Sequence, residues 1–164
     1  MTRPGRDITE VPMNVLKALS VRQPWALAIC HGKNIENRPR ATRHRGPVAI
    51  HAAKAWDDVG RDTLRWIAHM TGLTPYQAAE RDHRGAVVAV ADIIGCHRHR
   101  DPAHPCHADD APICSPWAAR GHWHWQLANV RPLPRPVAAR GALGLWPLPA
   151  DIAAAVRAQT EGEV

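Results

Sequence analysis

LSVRQPWALAICHGKNIENRPRATRHRGPVAIHAAK, residues 19–54, decides the fold, because it sets a short helix signal and a charged strand between two apolar runs. Pro24 suits the first turn of a helix, where no N–H is needed. Trp25, Leu27, Ala28 and Ile29 supply the apolar side of about two or three turns, and His31-Gly32 is the expected stop. Lys33–Arg38 then reads as a strand closed by Pro39. Its alternation places Lys33, Ile35 and Asn37 on one face and Asn34, Glu36 and Arg38 on the other. After the basic loop ATRHRG, Pro47–Ala52 is a strand with Val48 and Ile50 on one face and Ala49 and His51 on the opposite one. A core has no use for Arg22, Gln23, Lys33, Glu36, Asn37, Arg38 and His51 among apolar runs this short. A pocket for a polar, anionic ligand does.

Working outward, Met1–Asn14 is polar and reads as a loosely attached tail without the apolar segment of a signal peptide. Val15–Val21 is a strand. Trp56–Met70 has helical spacing, with Val59, Thr63, Trp66, Ile67 and Met70 on one side. A second helix, Pro75–Arg81, comes after the break at Gly72. Gly85–Cys96 is a buried strand, interrupted only by Asp92. His97–Ser115 is rich in His, Pro and Asp and reads as a surface loop. His122–Val130 is a strand with Trp123, Trp125 and Leu127 facing one way and His122, His124 and Gln126 the other. RPLPRPV is a Pro-rich connector, and GALGLWPLP leads to a last helix, Asp151–Gln159. The expected organisation is a tail (1–14), one domain (15–149) and a C-terminal helix with its own short tail (150–164). Short strands with long connections predict an α+β fold, a small mixed β-barrel with flanking helices.

The chain has 164 residues, enough for one domain with a hydrophobic core. Arg and Lys outnumber Asp and Glu by 21 to 15, giving +6 with 11 His in reserve, which favours polyanionic partners such as RNA or nucleotides. Apolar runs fall far short of a membrane span. Four Cys, at 30, 96, 106 and 114, form no CxxC pair, so a cytoplasmic protein with reduced thiols is expected. Seven Trp, one Tyr and no Phe put the large packing load on indole rings.

RQPWA, the G-K-x-I-E-x-R segment, the IHAxK strand end and the closing GxLGLW occur in this order over residues 15–149. Together they resemble the ASCH domain (activating-signal-cointegrator homology) of the PUA-like superfamily. The resemblance implies a β-barrel with flanking helices, and a cleft lined by the helix after RQPWA and by the G-K-x-I-E-x-R strand. It also implies RNA or nucleotide binding. Some relatives resemble ribonucleases acting on single-stranded RNA, and a small one hydrolyses the acetyl amide of acetylated cytidine. In that hydrolase the Lys of the motif, a Thr and a distant Glu do the work; here the Lys is Lys33, Glu36 stands at the Thr position, and Asp92 is the loose candidate for the Glu.

On this reading Arg22, Gln23, Trp25, Lys33, Arg38 and Lys54 contact the ligand, and Lys33, Glu36 and His51 are the candidate catalytic groups. Arg38 can grip a phosphate through two parallel N–H bonds. Arg22 and Gln23 sit at the entry of the first helix, where either an anion or simple capping uses them. Glu36 acts as general base or holds Lys33 or Arg38 in register. His51 and Lys54 would serve a metal-free cleavage of RNA, His51 moving the proton and Lys54 steadying the charge. The rival functions are the amidohydrolase and a module that has lost chemistry and serves contacts. CHRHRDPAHPCHADDAPIC, residues 96–114, holds thiols and imidazoles that zinc accepts, but its spacing matches no zinc knuckle or finger. A surface loop is expected there, with no metal and no cofactor.

Overall fold

Lys33 shows how closely local chemistry sets the elements: its N–H donates to the carbonyl of Ala28 at 2.9 Å, closing the first helix rather than opening a strand. The computed structural model describes residues 15–104 and 113–161 of the chain. The expected tail at 1–14, and Cys106 and His107 within the His- and Cys-rich segment, lie outside the described residues.

In chain order the elements are β1 Lys17–Gln23, α1 Trp25–Cys30, β2 Ile35–Arg38, β3 Gly46–Trp56, α2 Arg61–Thr71, α3 Pro75–Glu80, β4 Ala86–Arg98, β5 Trp123–Ala138, β6 Leu145–Pro147 and α4 Ala150–Thr160. The strands form one mixed six-stranded sheet in the order β2-β5-β4-β3-β1-β6. Among the described residues only β1 and β3 pair in parallel, through Leu19↔Ile50 and Ser20↔His51. The connection between them carries α1 and β2, as a parallel pair requires a crossover. The fold is therefore mixed α+β, with an open ladder whose edges are β2 and β6. Among the described residues no helix is long and apolar enough to cross a membrane.

Several boundaries differ from the sequence reading, each for a local reason. Strand β2 begins at Ile35 because Gly32, at φ +107°, turns the chain and Lys33 still caps α1. Trp56 ends β3, in register with Gln23 of β1, so α2 starts only at Arg61. Thr74 and Gln77 form a reciprocal capping box that starts α3 at Pro75. Strand β4 runs on through His97 and Arg98, which pair with His124 and Trp123, so the expected loop begins later. The Pro-rich connector belongs to β5. Pro134 and Pro136 fall in the bulge between Pro132 and Val137, where the ladder to β4 is interrupted and no N–H is required.

The alternation in β3 separates two cores. Val48 and Ile50 join Leu19, Val21, Ile29, Trp125 and Leu127 on one side of the sheet. Ala49 joins Val87, Leu133, Trp146 and Val156 on the other, where α4 packs. A third cluster of Ala28, Ile35, Ile67 and Trp117 fastens α1 and α2 over the β2 end. Trp125 and Trp146 are buried in these cores, and their indole N–H groups donate to Arg40 and Ser20.

Candidate functional site

Two polar groups stand out, one on each side of the sheet. The first is built on β2. Glu36 and Arg38 share a face with their cross-strand neighbours Trp125 and Trp123. Lys33 is only 2% exposed, and its Nζ donates to Glu36 Oε2 at 2.6 Å and to the carbonyl of Ile35. Arg38 Nε lies 3.2 Å from the other carboxylate oxygen, Glu36 Oε1, and the guanidinium stacks over Trp125 at 5.7 Å. Arg38 Nη2 then donates to the main-chain carbonyl of Ser20 at 2.7 Å. The expected contacts gave both Lys33 and Arg38 to a ligand. The two cations do converge, but on the Glu36 carboxylate. A charge this buried has to be paired where water cannot reach it, so the motif folds as an internal ion network.

The second group lies where β3 meets β1. His51 Nε2 is 2.9 Å from the carbonyl of Ala139, which only accepts, so Nε2 carries the proton. In the neutral ring Nδ1 is then the acceptor, and it faces Ser20 Oγ at 3.2 Å. Ser20 Oγ in turn accepts from Trp146 Nε1 at 3.1 Å, which directs its own proton to His51. The tautomer of His51 and the rotamer of Ser20 are thus set by the two ends of one chain of hydrogen bonds.

This pair forms part of the wall of a cleft of about 870 Å³, with Lys54, Arg140, Gly141 and Ile152 among the other lining residues. Lys54 and Arg140 are exposed, and among the described residues no carboxylate lines the cleft. Gly141 covers the Ser20–His51 pair: a Cβ there would stand 2.6 Å from His51 Cε1 and 3.0 Å from Ser20 Oγ. A basic, carboxylate-free cleft of this size suits a phosphorylated ligand of nucleotide dimensions. Its floor holds a serine hydroxyl within hydrogen-bond distance of an imidazole nitrogen, the two groups that a proton transfer needs.

The candidates named from sequence thus divide. His51 and Lys54 meet in the cleft. Lys33, Glu36 and Arg38 meet in the ion network and touch the cleft only through the main chain of Ser20. Arg22, Gln23 and Trp25 cluster at the start of α1. Gln23, 1% exposed, accepts from Leu27 N and donates to the carbonyl of His83, so it caps the helix and ties down the loop before β4. Trp25 donates to Asp57 at 2.8 Å, and Arg22 sits 3.8 Å from the same carboxylate group on the surface. Ser20, Arg140 and Gly141 were not singled out from sequence. Ser20 gains its role only through a parallel register with a residue 31 positions later.

A third polar group occupies the β4–β5 ends. His97 and His124 are directly opposed across the two strands, on the face of Asn37 rather than that of Trp123 and Trp125. His124 lies on the face opposite Trp123 and Trp125, as its alternation predicts, and it is fully buried there under the loop that carries Ala119. Burial first, then His104 and His124, push His97 down to about 4. Burial lowers His124 as well.

This sequence matches no protein-family model and no curated protein.

Proposed function

We propose that the chain is an ASCH domain of the PUA-like superfamily that binds single-stranded RNA or a nucleotide through phosphate in the Lys54–Arg140 cleft. One observation carries the reading: the cleft combines two exposed cations with a Ser–His pair and no acidic group among the described residues. The ordered RQPWA, G-K-x-I-E-x-R, IHAxK and GxLGLW segments support the family reading. The third brings His51 and Lys54 to the junction of β1 and β3, the last lays Gly141 over the Ser20–His51 pair, the second supplies the Glu36 network and the first forms the turn from β1 into α1. A barrel of that kind is supported by the contact of Arg38 on edge strand β2 with the main chain of Ser20 on β1, although the strand ladder itself is open.

In a metal-free cleavage the ribose 2′-hydroxyl gives its proton to Ser20 Oγ as Ser20 passes its own to His51 Nδ1; the 2′-oxygen bonds to phosphorus as the P–O5′ bond breaks, and the departing 5′-oxygen takes a proton from solvent, leaving a 2′,3′-cyclic phosphate and a 5′-hydroxyl. Lys54 and Arg140 balance the charge that develops on the phosphoryl oxygens. The ion network makes Lys33 a structural group in this scheme, which disfavours the amidohydrolase.

The test uses a labelled single-stranded oligoribonucleotide and, separately, acetylated cytidine. The reading expects RNA affinity that falls steeply with salt, and any strand cleavage lost in His51→Gln. Acetate release without RNA affinity would replace it with the hydrolase. No affinity for either substrate at low salt would reject both.

A further inference from the structure

We infer that His97, Cys114 and His124 form a zinc site at the β4–β5 ends, separate from the basic cleft. The donor atoms of the three residues all lie within 4.8 Å of one another. His124 Nδ1 stands 3.2 Å from His97 Nε2 and 3.3 Å from Cys114 Sγ. Two ligands on one tetrahedral zinc are separated by about 3.3 Å for a pair of imidazole nitrogens and about 3.6 Å for nitrogen and thiolate, given ordinary Zn–N and Zn–S bonds. Two of the three donor pairs are therefore spaced as on one tetrahedral ion, which would keep a fourth position for another ligand.

The protonation states point the same way. His124 Nε2 lies 2.8 Å from the carbonyl of Ala119, which only accepts, so this nitrogen holds the proton. Nδ1 is left with a single in-plane lone pair, and that lone pair faces both His97 and Cys114. A cation placed among the three groups would receive an electron pair from each, with Cys114 giving up its proton to solvent on binding. The Nε2–H···O=C contact is the outer hydrogen bond that fixes the ring of a metal-bound histidine. Soft thiolate with two imidazoles selects zinc over magnesium or calcium, which prefer oxygen.

The framework is also rigid where a ligand set needs it. His97 and His124 are a cross-strand pair on two long central strands, and Cys114 is brought over them by the turn in which Ser115 bonds Asn34 and Asn37 binds the main chain of Trp117 and Ala119. The distance in sequence between His124 and the two other donors hides the site from a spacing rule, because strand register rather than a short motif assembles it.

The test is a titration of the folded, chelator-dialysed full chain with Zn²⁺ by calorimetry and with Co²⁺ by absorption spectroscopy. One equivalent of metal is expected, with tetrahedral cobalt bands and a thiolate-to-cobalt charge-transfer band. Cys114→Ser should abolish that charge-transfer band and weaken zinc binding by at least about 100-fold, beyond the effect of losing an outer contact. His124→Gln should weaken it comparably; Cys114→Ser carries the test if that variant misfolds, because Cys114 lies outside the strands and is only half-buried. Failure of the folded wild type to take up one equivalent, or a cobalt spectrum that Cys114→Ser leaves unchanged, would overturn the site.

Discussion

Arg38 on edge strand β2 donates to the main-chain carbonyl of Ser20 on β1 at 2.7 Å, although three strands separate β2 from β1 in the ladder. The sheet is curled enough for one side chain to bridge them. Ser20 is the first residue of β1 past the reach of β6, which pairs only with Lys17–Leu19. The same residue presents its hydroxyl to His51. Ser20 therefore joins the internal ion network to the cleft, main chain on one side and side chain on the other.

The network is a device of stability. Lys33→Met leaves the Glu36 carboxylate with only Arg38, and breaking a buried pair from one side costs about 3–5 kcal/mol. Urea unfolding should show a loss in this range, with the unfolding slope unchanged. A variant as stable as the wild type would mean that Lys33 is not structural.

Gly141 has no room for a side chain. Gly141→Ala drives a methyl group into His51, whose ring is held at both nitrogens and is 2% exposed, so it has no easy retreat. Overpacking of this kind costs about 1–3 kcal/mol. Thermal unfolding should report that loss, and the His51 ring protons should shift in NMR spectra. An unshifted His51 would place the Gly141 segment elsewhere in solution.

Cys30 gives a pH-dependent readout. Burial pushes its thiol up from 9.0 to about 11. The folded chain thus holds a proton that the unfolded chain releases earlier. This contribution to stability is complete below pH 9 and is lost as the pH rises from 9 to 11. At pH 8 the native protein carries about 100-fold less thiolate at this position than the unfolded chain. Alkylation of Cys30, tracked by peptide mass mapping, should be at least about tenfold slower in buffer than in urea. Equal rates would refute the burial.

Much of the β1–α1–β2–β3 region is legible in sequence, because Pro24, Gly32 and the period-two alternation of PVAIHA are local signals that tertiary contacts reinforce. The buried run before Cys96 is legible for the same reason. The stretch beyond Cys96 is not. His97 and Arg98 are polar and look like loop, yet they continue β4 because a matching strand lies opposite them. Prolines 132, 134 and 136 argue against a strand, and a bulge accommodates two of them. The charged residues of the G-K-x-I-E-x-R segment were legible as a group. Their partners were not, since composition cannot tell a cation that meets a ligand from one that meets Glu36. Ser20, Arg140 and the His97–Cys114–His124 triangle depend on register and on chain crossings far apart in sequence.

The central claim is that phosphate is held by Lys54 and Arg140, and the most direct measurement is RNA affinity as a function of salt in the Lys54→Ala/Arg140→Ala variant. Each charge-assisted contact contributes about 1.5–3 kcal/mol. The account predicts a loss of at least about tenfold in affinity and a salt slope shallower by about 1.4, the value for two phosphate contacts on a single strand. Affinity and slope both equal to those of the wild type would contradict it.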